Sequence, residues 1–212
     1  MPVRTLLLDV DGTLLDTREF IYSAFEHTRA RAGLPAMTRP DIQPLMGLPL
    51  EVIYASMGGA PVGEMVAWHR AFQRDHLDLA VAFPGAAEVL AVLQQAGVRM
   101  AAVTSRSRAT SLVTLENAAL ARFFNAVVSA EDTPAQKPDP APLRLALKWL
   151  QHEGGGVAMA GDTPHDIEAG RAIGAVTIAA TYGFQPREVL ASSAPDAFID
   201  TLDELPAAVG LA

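Results

Sequence analysis

Short apolar runs alternate with helical patterns through most of this chain, and this alternation is the strongest constraint on its fold. The predicted strands cover residues 3–10, 98–104, 126–129, 157–161 and 176–181. The predicted helices between them cover residues 86–96, 109–120, 142–151 and 165–173. Strands that are separated by helices pair in parallel, with the helices covering both faces of the sheet. The sequence therefore predicts an α/β fold with a doubly wound, Rossmann-like parallel sheet.

One long segment, residues 16–82, does not follow this alternation. Its pattern is mostly helical, and proline and glycine interrupt it at residues 33–35, 47–49 and 58–61. We interpret the segment as a helical cap inserted into a core formed by residues 1–15 and 83–212. In the alternative interpretation, the same helices pack on the sheet as part of a single domain.

Charge and composition narrow the range of partners. The net charge is −8, and no run of lysine and arginine offsets it, so nucleic acid is not an expected partner. The chain has no cysteine, which excludes disulfides, thiolate metal sites and a cysteine nucleophile. The apolar runs are too short to cross a bilayer, and no signal peptide is recognisable. We therefore expect a cytoplasmic protein without a membrane partner.

Two carboxylates directly follow the first predicted strand. Asp9 and Asp11 stand in the string Asp9-Val10-Asp11-Gly12-Thr13. Open α/β sheets bind ligands outside the carboxyl ends of their strands, so this position favours a functional role. An Asp-Gly pair alone is usually a turn, but the whole string is expected by chance on the order of once in a thousand chains of this length.

Three further motifs follow along the chain. Thr104 ends a predicted strand, Lys137 stands in Lys137-Pro138-Asp139-Pro140, and Asp162 and Asp166 follow the strand at residues 157–161. Taken singly, these residues are ordinary: a strand-end threonine, a surface lysine, and acids at a helix N-terminus. A parallel sheet, however, would gather all four motifs at one edge. The sequence therefore predicts one site built from them.

These motifs, in this order, resemble those of the haloacid dehalogenase superfamily, and the chain as a whole looks most like the phosphoglycolate phosphatases with a helical cap. The resemblance implies that Asp9 is a nucleophile that forms an aspartyl-phosphate. It makes Asp11 the general acid and then the general base. It also implies that Thr104 hydrogen-bonds the transferred phosphoryl group and that Lys137 neutralises the clustered negative charge.

The resemblance implies a Mg²⁺ cofactor as well. Asp9, the main-chain carbonyl of Asp11, and Asp162 would be its ligands, and Asp166 would bind directly or through water. Two of the expected substrate-binding residues, Gly12 and Ser105, lie in the core and would act through nearby backbone N–H groups. The other three, Thr17, Arg18 and Gly47, lie in the cap.

The expected substrate is a small phosphorylated metabolite, with 2-phosphoglycolate as the leading phosphomonoester. A sugar phosphomutase of the β-phosphoglucomutase type and a pyrophosphatase are the alternatives with the same motifs. A noncatalytic binding protein with this fold is the alternative from another class. The spacing of His69 and His76, two helical turns, favours a structural role over a shared metal ion. The sequence predicts no particular oligomeric state.

Overall fold

The computed structural model describes residues 3–46 and 48–211. The chain divides into two units: the core unit runs up to Asp16 and resumes at Val81, and the cap unit is Thr17–Ala80. The sequence places the boundaries of the insertion at residues 16 and 82, one and two residues outside the cap unit.

Strands occur only in the core unit within the described ranges. They are β1 (Val3–Leu8), β2 (Leu15–Asp16), β3 (Val81–Ala82), β4 (Arg99–Val103), β5 (Ala126–Val128), β6 (Gly156–Gly161), β7 (Val176–Ala180) and β8 (Ala197–Ile199). Six of them form a parallel sheet in the order β5-β4-β1-β6-β7-β8, and β2 pairs with β3 in antiparallel fashion. The predicted doubly wound α/β fold is confirmed.

Helices make up the cap unit and flank the sheet of the core unit. The cap helices are α1 (Arg18–Arg31), α2 (Arg39–Ile42), α3 (Leu50–Met57) and α4 (Val62–Asp75). The core helices are α5 (Ala86–Gln95), α6 (Arg108–Asn117), α7 (Ala141–Trp149), α8 (Pro164–Ala172), α9 (Arg187–Ser192) and α10 (Leu205–Ala208). None of the helices in the described ranges has both the length and the hydrophobicity needed to cross a bilayer.

The central strand β1 is buried on both faces. Leu6 and Leu8 pack with α5 and α10 in one apolar cluster, whereas Leu7 packs with α7 and α8 in another. This arrangement follows from the alternation of side chains along a strand. A continuous apolar run in β1 is therefore what a sheet covered by helices on both faces requires.

The strand order contains a switch point beside β1. After β1 the sheet continues on one side through β4 and β5, and after β6 it continues on the other side through β7 and β8. The chain thus leaves the neighbouring strands β1 and β6 in opposite directions, which opens a crevice at their carboxyl ends. Asp9 follows β1 and Asp162 follows β6, so both carboxylates stand at this crevice.

The cap unit has its own buried centre. The ring of Phe25, on α1, meets the ring of His69, on α4, edge to face at a centroid distance of 4.9 Å. The Tyr54 hydroxyl, on α3, hydrogen-bonds His69 Nδ1 at 2.7 Å. All three side chains are buried, so they tie three cap helices together.

Candidate active site

The ends of neighbouring strands place the predicted site residues. The N–H of Asp9 donates to the carbonyl of Ala160 on β6 at 3.0 Å, which fixes the backbone just after β1. The N–H of Thr104 donates in the same way to the carbonyl of Val128 on β5 at 2.9 Å. The hydrogen bonds between the strands thus continue one residue beyond the strands. They fix the backbone of the site at the carboxyl ends of the strands.

Lys137 hydrogen-bonds three residues at the carboxyl ends of the strands. Its Nζ donates to Asp9 Oδ1 at 2.8 Å, to Asp166 Oδ1 at 2.6 Å and to the carbonyl of Val103 at 2.9 Å. Three acceptors match the three N–H groups of an ammonium. Only 6% of the lysine side chain is exposed, so the surface-charge interpretation of this residue is wrong.

Asp166 has two tasks. Its Oδ2 accepts hydrogen bonds from the N–H of Thr163 at 3.1 Å and from the Thr163 hydroxyl at 2.7 Å. These bonds form a capping box at the start of α8. The other oxygen binds Lys137, so the same carboxylate caps α8 and contacts the lysine of the predicted site, and its role as a metal ligand stays a prediction.

Asp162 lies fully buried beneath the loop that follows β1. Its Oδ1 accepts from the Thr13 hydroxyl at 3.2 Å, and its Oδ2 accepts from the N–H of Phe184 at 2.7 Å. Two glycines make room for it. A Cβ at Gly12, whose φ is 78°, would lie 2.1 Å from Asp162 Oδ2, and one at Gly183 would lie 2.2 Å from Asp162 Cβ. Glycine is therefore required at both positions, for close approach and, at Gly12, for positive φ.

The N–H of Gly12 itself is used within the loop, where it donates to the carbonyl of Leu15 at 2.8 Å. The glycine thus shapes the loop around Asp162. Contact of Gly12 with a substrate stays a prediction.

Three buried carboxylates are gathered without full charge compensation. One carboxylate oxygen from each of Asp9, Asp162 and Asp166 lies within 4.8 Å of the other two. Burial raises the pKa of Asp9 to about 7, and neighbouring Asp166 adds to the rise while Lys137 opposes it. Burial also raises the pKa of Asp162, with further contributions from Asp9 and Asp166. Crowded carboxylates of this kind favour the binding of a cation.

The donor set fits a hard divalent cation. It consists of carboxylate oxygens, which are the ligands that Mg²⁺ prefers. With all groups ionised, the four site aspartates carry four negative charges against one positive charge each on Lys137 and Arg106. A divalent cation would balance the remaining two.

The side chain of Asp11 lies outside this acidic cluster and binds an arginine. Arg106 Nε donates to Asp11 Oδ2 at 3.1 Å, and Arg106 Nη2 donates to Asp11 Oδ1. The sequence motifs did not include Arg106. The only signal for it was its position two residues after Thr104, where an arginine is ordinarily read as a surface charge.

Thr104 is buried, and its Oγ1 accepts the N–H of Arg106 at 3.1 Å. A hydroxyl that accepts one bond keeps its own hydrogen for donation, which suits contact with a phosphoryl oxygen. The next residue, Ser105, is exposed.

The remaining predicted substrate residues belong to the cap unit. Thr17 precedes α1 and is buried, and within the described residues its hydroxyl has no hydrogen-bond partner. Arg18 begins α1. Gly47 lies outside the described residues. Their contact with a substrate stays a prediction.

Comparison with known proteins agrees with this architecture. Residues 6–180 match the family model described as haloacid dehalogenase-like hydrolase. The pyrophosphatase PpaX of Bacillus velezensis is 31% identical over 204 residues, which cover 96% of this chain and 94% of that protein. A haloacid dehalogenase-like hydrolase from Streptococcus pneumoniae has a similar structure, with a TM-score of 0.87 and 25% identity over 97% of both chains. A putative phosphoglycolate phosphatase from Lactobacillus plantarum gives a TM-score of 0.88 at 21% identity, covering 98% of this chain and all of that one.

Proposed function

The chain belongs to the haloacid dehalogenase-like hydrolase family, and from that premise we propose that it is a Mg²⁺-dependent phosphatase that hydrolyses small phosphate compounds through an aspartyl-phosphate on Asp9. The contact that carries the proposal is the bridge from Lys137 to Asp9 and Asp166. A lysine held there fixes one oxygen of Asp9 and supplies positive charge where a phosphoryl group would arrive.

In the first step, a carboxylate oxygen of Asp9 attacks phosphorus and the bond from phosphorus to the leaving oxygen breaks. Asp11, which must enter this step protonated, gives that proton to the leaving oxygen, and the hydroxyl of Thr104 donates to a phosphoryl oxygen. In the second step, water attacks the same phosphorus, Asp11 takes its proton, and Asp9 is released with inorganic phosphate.

Mg²⁺, when bound by Asp9, Asp162 and Asp166 with the main-chain carbonyl of Asp11, would neutralise charge on the phosphoryl oxygens. Asp166 is oriented for this role by Thr163 and Lys137, and Asp162 by Thr13 and Phe184. Such orientation of the ligands by neighbouring groups is typical of functional metal sites.

Two substrate classes fit the site chemistry. A compact phosphomonoester, with 2-phosphoglycolate first, is the substrate that the resemblance of the sequence implies. Inorganic pyrophosphate is the second candidate, because a relative that matches nearly the whole chain is named a pyrophosphatase. Both are small, and both reactions transfer a phosphoryl group to water. They differ in the leaving group, which is an alkoxide in one case and phosphate in the other.

The test is phosphate release by the purified chain from pyrophosphate, 2-phosphoglycolate, glucose 1-phosphate, nucleotides and a phosphopeptide. We expect Mg²⁺-dependent release with the highest kcat/KM for pyrophosphate or a small organic phosphate. EDTA and the Asp9→Asn substitution should abolish it, and Asp203→Asn, at an exposed carboxylate, should not.

Undiminished activity in chelated protein would contradict the metal assignment, and a preference for the phosphopeptide would contradict the small-substrate assignment. Conversion of glucose 1-phosphate to glucose 6-phosphate without phosphate release would identify a phosphomutase instead.

A further inference from the structure

Arg106 is a buried arginine of the core unit whose side chain is held at both ends of its guanidinium. On one side, Nε and Nη2 donate hydrogen bonds to the carboxylate of Asp11. On the other side, Nη1 donates to Oγ1 of Thr114, on α6, at 2.9 Å. Only 5% of the arginine side chain is exposed, against 21% for Asp11. The arginine is thus the fixed member of the pair, and the aspartate is the member that solvent reaches.

The backbone of Arg106 is fixed as well. Its N–H donates to Thr104 Oγ1 at 3.1 Å, and its carbonyl accepts the N–H of Ala130 at 3.0 Å. Thr114 is in turn bonded to the carbonyl of Thr110, one turn earlier on α6. A chain of contacts therefore runs from the helix through the guanidinium to a carboxylate two residues after the nucleophile.

This geometry matters because a carboxylate by itself turns easily about its last torsion angle, which is broad and two-fold. Two parallel bonds from a planar guanidinium fix both the position and the plane of the carboxylate, which a single ammonium cannot do. Proton transfer requires the carboxyl oxygen within about 2.6 to 3.2 Å of its partner, so a carboxylate turned away from that partner transfers its proton more slowly.

We infer that Arg106 is a positioning residue that sets the orientation of the Asp11 carboxylate for proton transfer. The inference rests on the proposed function, in which Asp11 protonates the leaving oxygen as its bond to phosphorus breaks. Asp11 then takes a proton from the water that displaces Asp9. Arg106 acts through Asp11 and makes no contact with the reacting atoms.

The test is a double-mutant cycle measured on the Mg²⁺-loaded protein with its best substrate. Arg106→Lys keeps the charge but loses the paired bonds, and it should lower kcat about 10- to 100-fold while KM changes by less than about threefold. Asp11→Asn should lower kcat further. The double variant should be no slower than Asp11→Asn alone, within about twofold, because the arginine then has nothing left to orient.

Two results would overturn the inference. If the two substitutions multiply, Arg106 works independently of Asp11. If Arg106→Lys raises KM and leaves kcat unchanged, the arginine binds the substrate instead. The matched control is Arg108→Lys, at a half-exposed arginine that pairs with Asp132, and it should leave both constants unchanged.

A second pair of variants separates orientation from folding. Thr114→Val removes the acceptor of Arg106 Nη1 and should lower kcat severalfold, whereas Thr114→Ser keeps the hydroxyl and should restore it. Equal kcat losses in the two variants would overturn the inference, and circular dichroism melts identify any unfolded variant. An inactive wild-type protein would defeat the proposed function itself, whereas an active wild type with a multiplicative cycle defeats only the role of Arg106.

Discussion

Both the core unit and the cap unit bury polar side chains, but the two buried groups differ in charge. In the core, Lys137 bridges Asp9 and Asp166, and Asp162 adds a third buried carboxylate. In the cap, the buried pair is Tyr54 and His69, joined by one hydrogen bond of 2.7 Å. The core group is ionic and carries more negative than positive charge, whereas the cap pair is neutral.

The pKa values explain why the cap pair stays neutral. Burial lowers the pKa of His69 to about 3, and the nearby charges of Arg70 and His27 act in the same direction. Burial raises the pKa of Tyr54 to about 12. A neutral imidazole and a neutral hydroxyl satisfy each other, as buried polar groups must. Buried polarity alone therefore does not distinguish the two groups, whereas buried negative charge that nearby positive charge does not fully offset is a feature of the core group.

The largest effect is expected from Lys137→Met, which removes the charge but keeps most of the volume. Breaking a buried pair by removing one partner costs roughly 3 to 5 kcal/mol, and here two carboxylates lose the same partner. We expect the free energy of unfolding in EDTA to fall by about that amount and phosphate release to be lost. Urea unfolding and a phosphate assay measure both effects.

Lys148→Met is the matched control, because Lys148 is exposed on α7 in the same unit. It should change neither stability nor activity. A Lys137→Met protein that is as stable and as active as the wild type would show that the core charges are not coupled as described.

A smaller effect is expected from acidification of the cap. His69 has a folded-state pKa of about 3, against an ordinary histidine pKa of 6.5, so only the unfolded chain takes up this proton between those limits. Stability is therefore lost as pH falls below 6.5. From pH 7 to pH 5 the loss is about 2 kcal/mol, at about 1.4 kcal/mol for each pH unit below 6.5. His69→Gln should remove this dependence, whereas His76→Gln should preserve it.

The measurement is urea unfolding at both pH values, followed by Trp68 fluorescence in a Trp149→Phe background. Trp68 lies on α4 beside His69, so it reports on the cap. The raised pKa of Asp9 works in the opposite direction in metal-free protein, because a folded-state pKa above the unfolded value lowers stability as pH rises towards about 7. A His69→Gln protein with an unchanged pH dependence would contradict the assignment to His69.

The smallest effect is expected at an exposed ion pair of the cap. Arg70 binds Glu51 at 3.0 Å, and both side chains are more than half exposed. Exposed pairs contribute roughly 0 to 1 kcal/mol, so Glu51→Gln should change the free energy of unfolding by less than about 1 kcal/mol. A loss as large as that of Lys137→Met would show that exposed and buried charges stabilise this protein to the same extent.

The parallel sheet was predictable from the sequence because its long central strands are continuous apolar runs. The edge strand β8 was missed, since its three apolar residues stand between Asp196 and Asp200, and β2 and β3 were missed because two residues are too few to show a pattern. The helix predicted to reach residue 120 ends at Asn117, because Ala119 adopts a φ of 57°, which no α-helix continues.

Most of the acidic site was also predictable, because Asp9, Asp162 and Asp166 lie at or just beyond the ends of neighbouring strands. Arg106 was not predictable, because no sequence pattern around this single arginine indicates that it is buried against Asp11. The requirement for Gly183 was hidden as well, because it arises from a carboxylate that is distant in sequence. Local pattern locates strands and their ends, but contacts between distant side chains depend on how those ends meet.

The most direct test of the account is rapid acid quenching during turnover, in the presence of Mg²⁺, of the wild type and of Asp11→Asn. Mass spectrometry of the peptides then locates any covalent phosphoryl group. We expect it on Asp9 alone, and absent from Asp9→Asn protein and from chelated protein. In Asp11→Asn it should decay more slowly than in the wild type, because the second step loses the base that takes the proton of water. A phosphoryl group on another side chain, or wild-type turnover by Asp9→Asn, would contradict the central claim that the buried acidic cluster of the core is a site of covalent phosphoryl transfer.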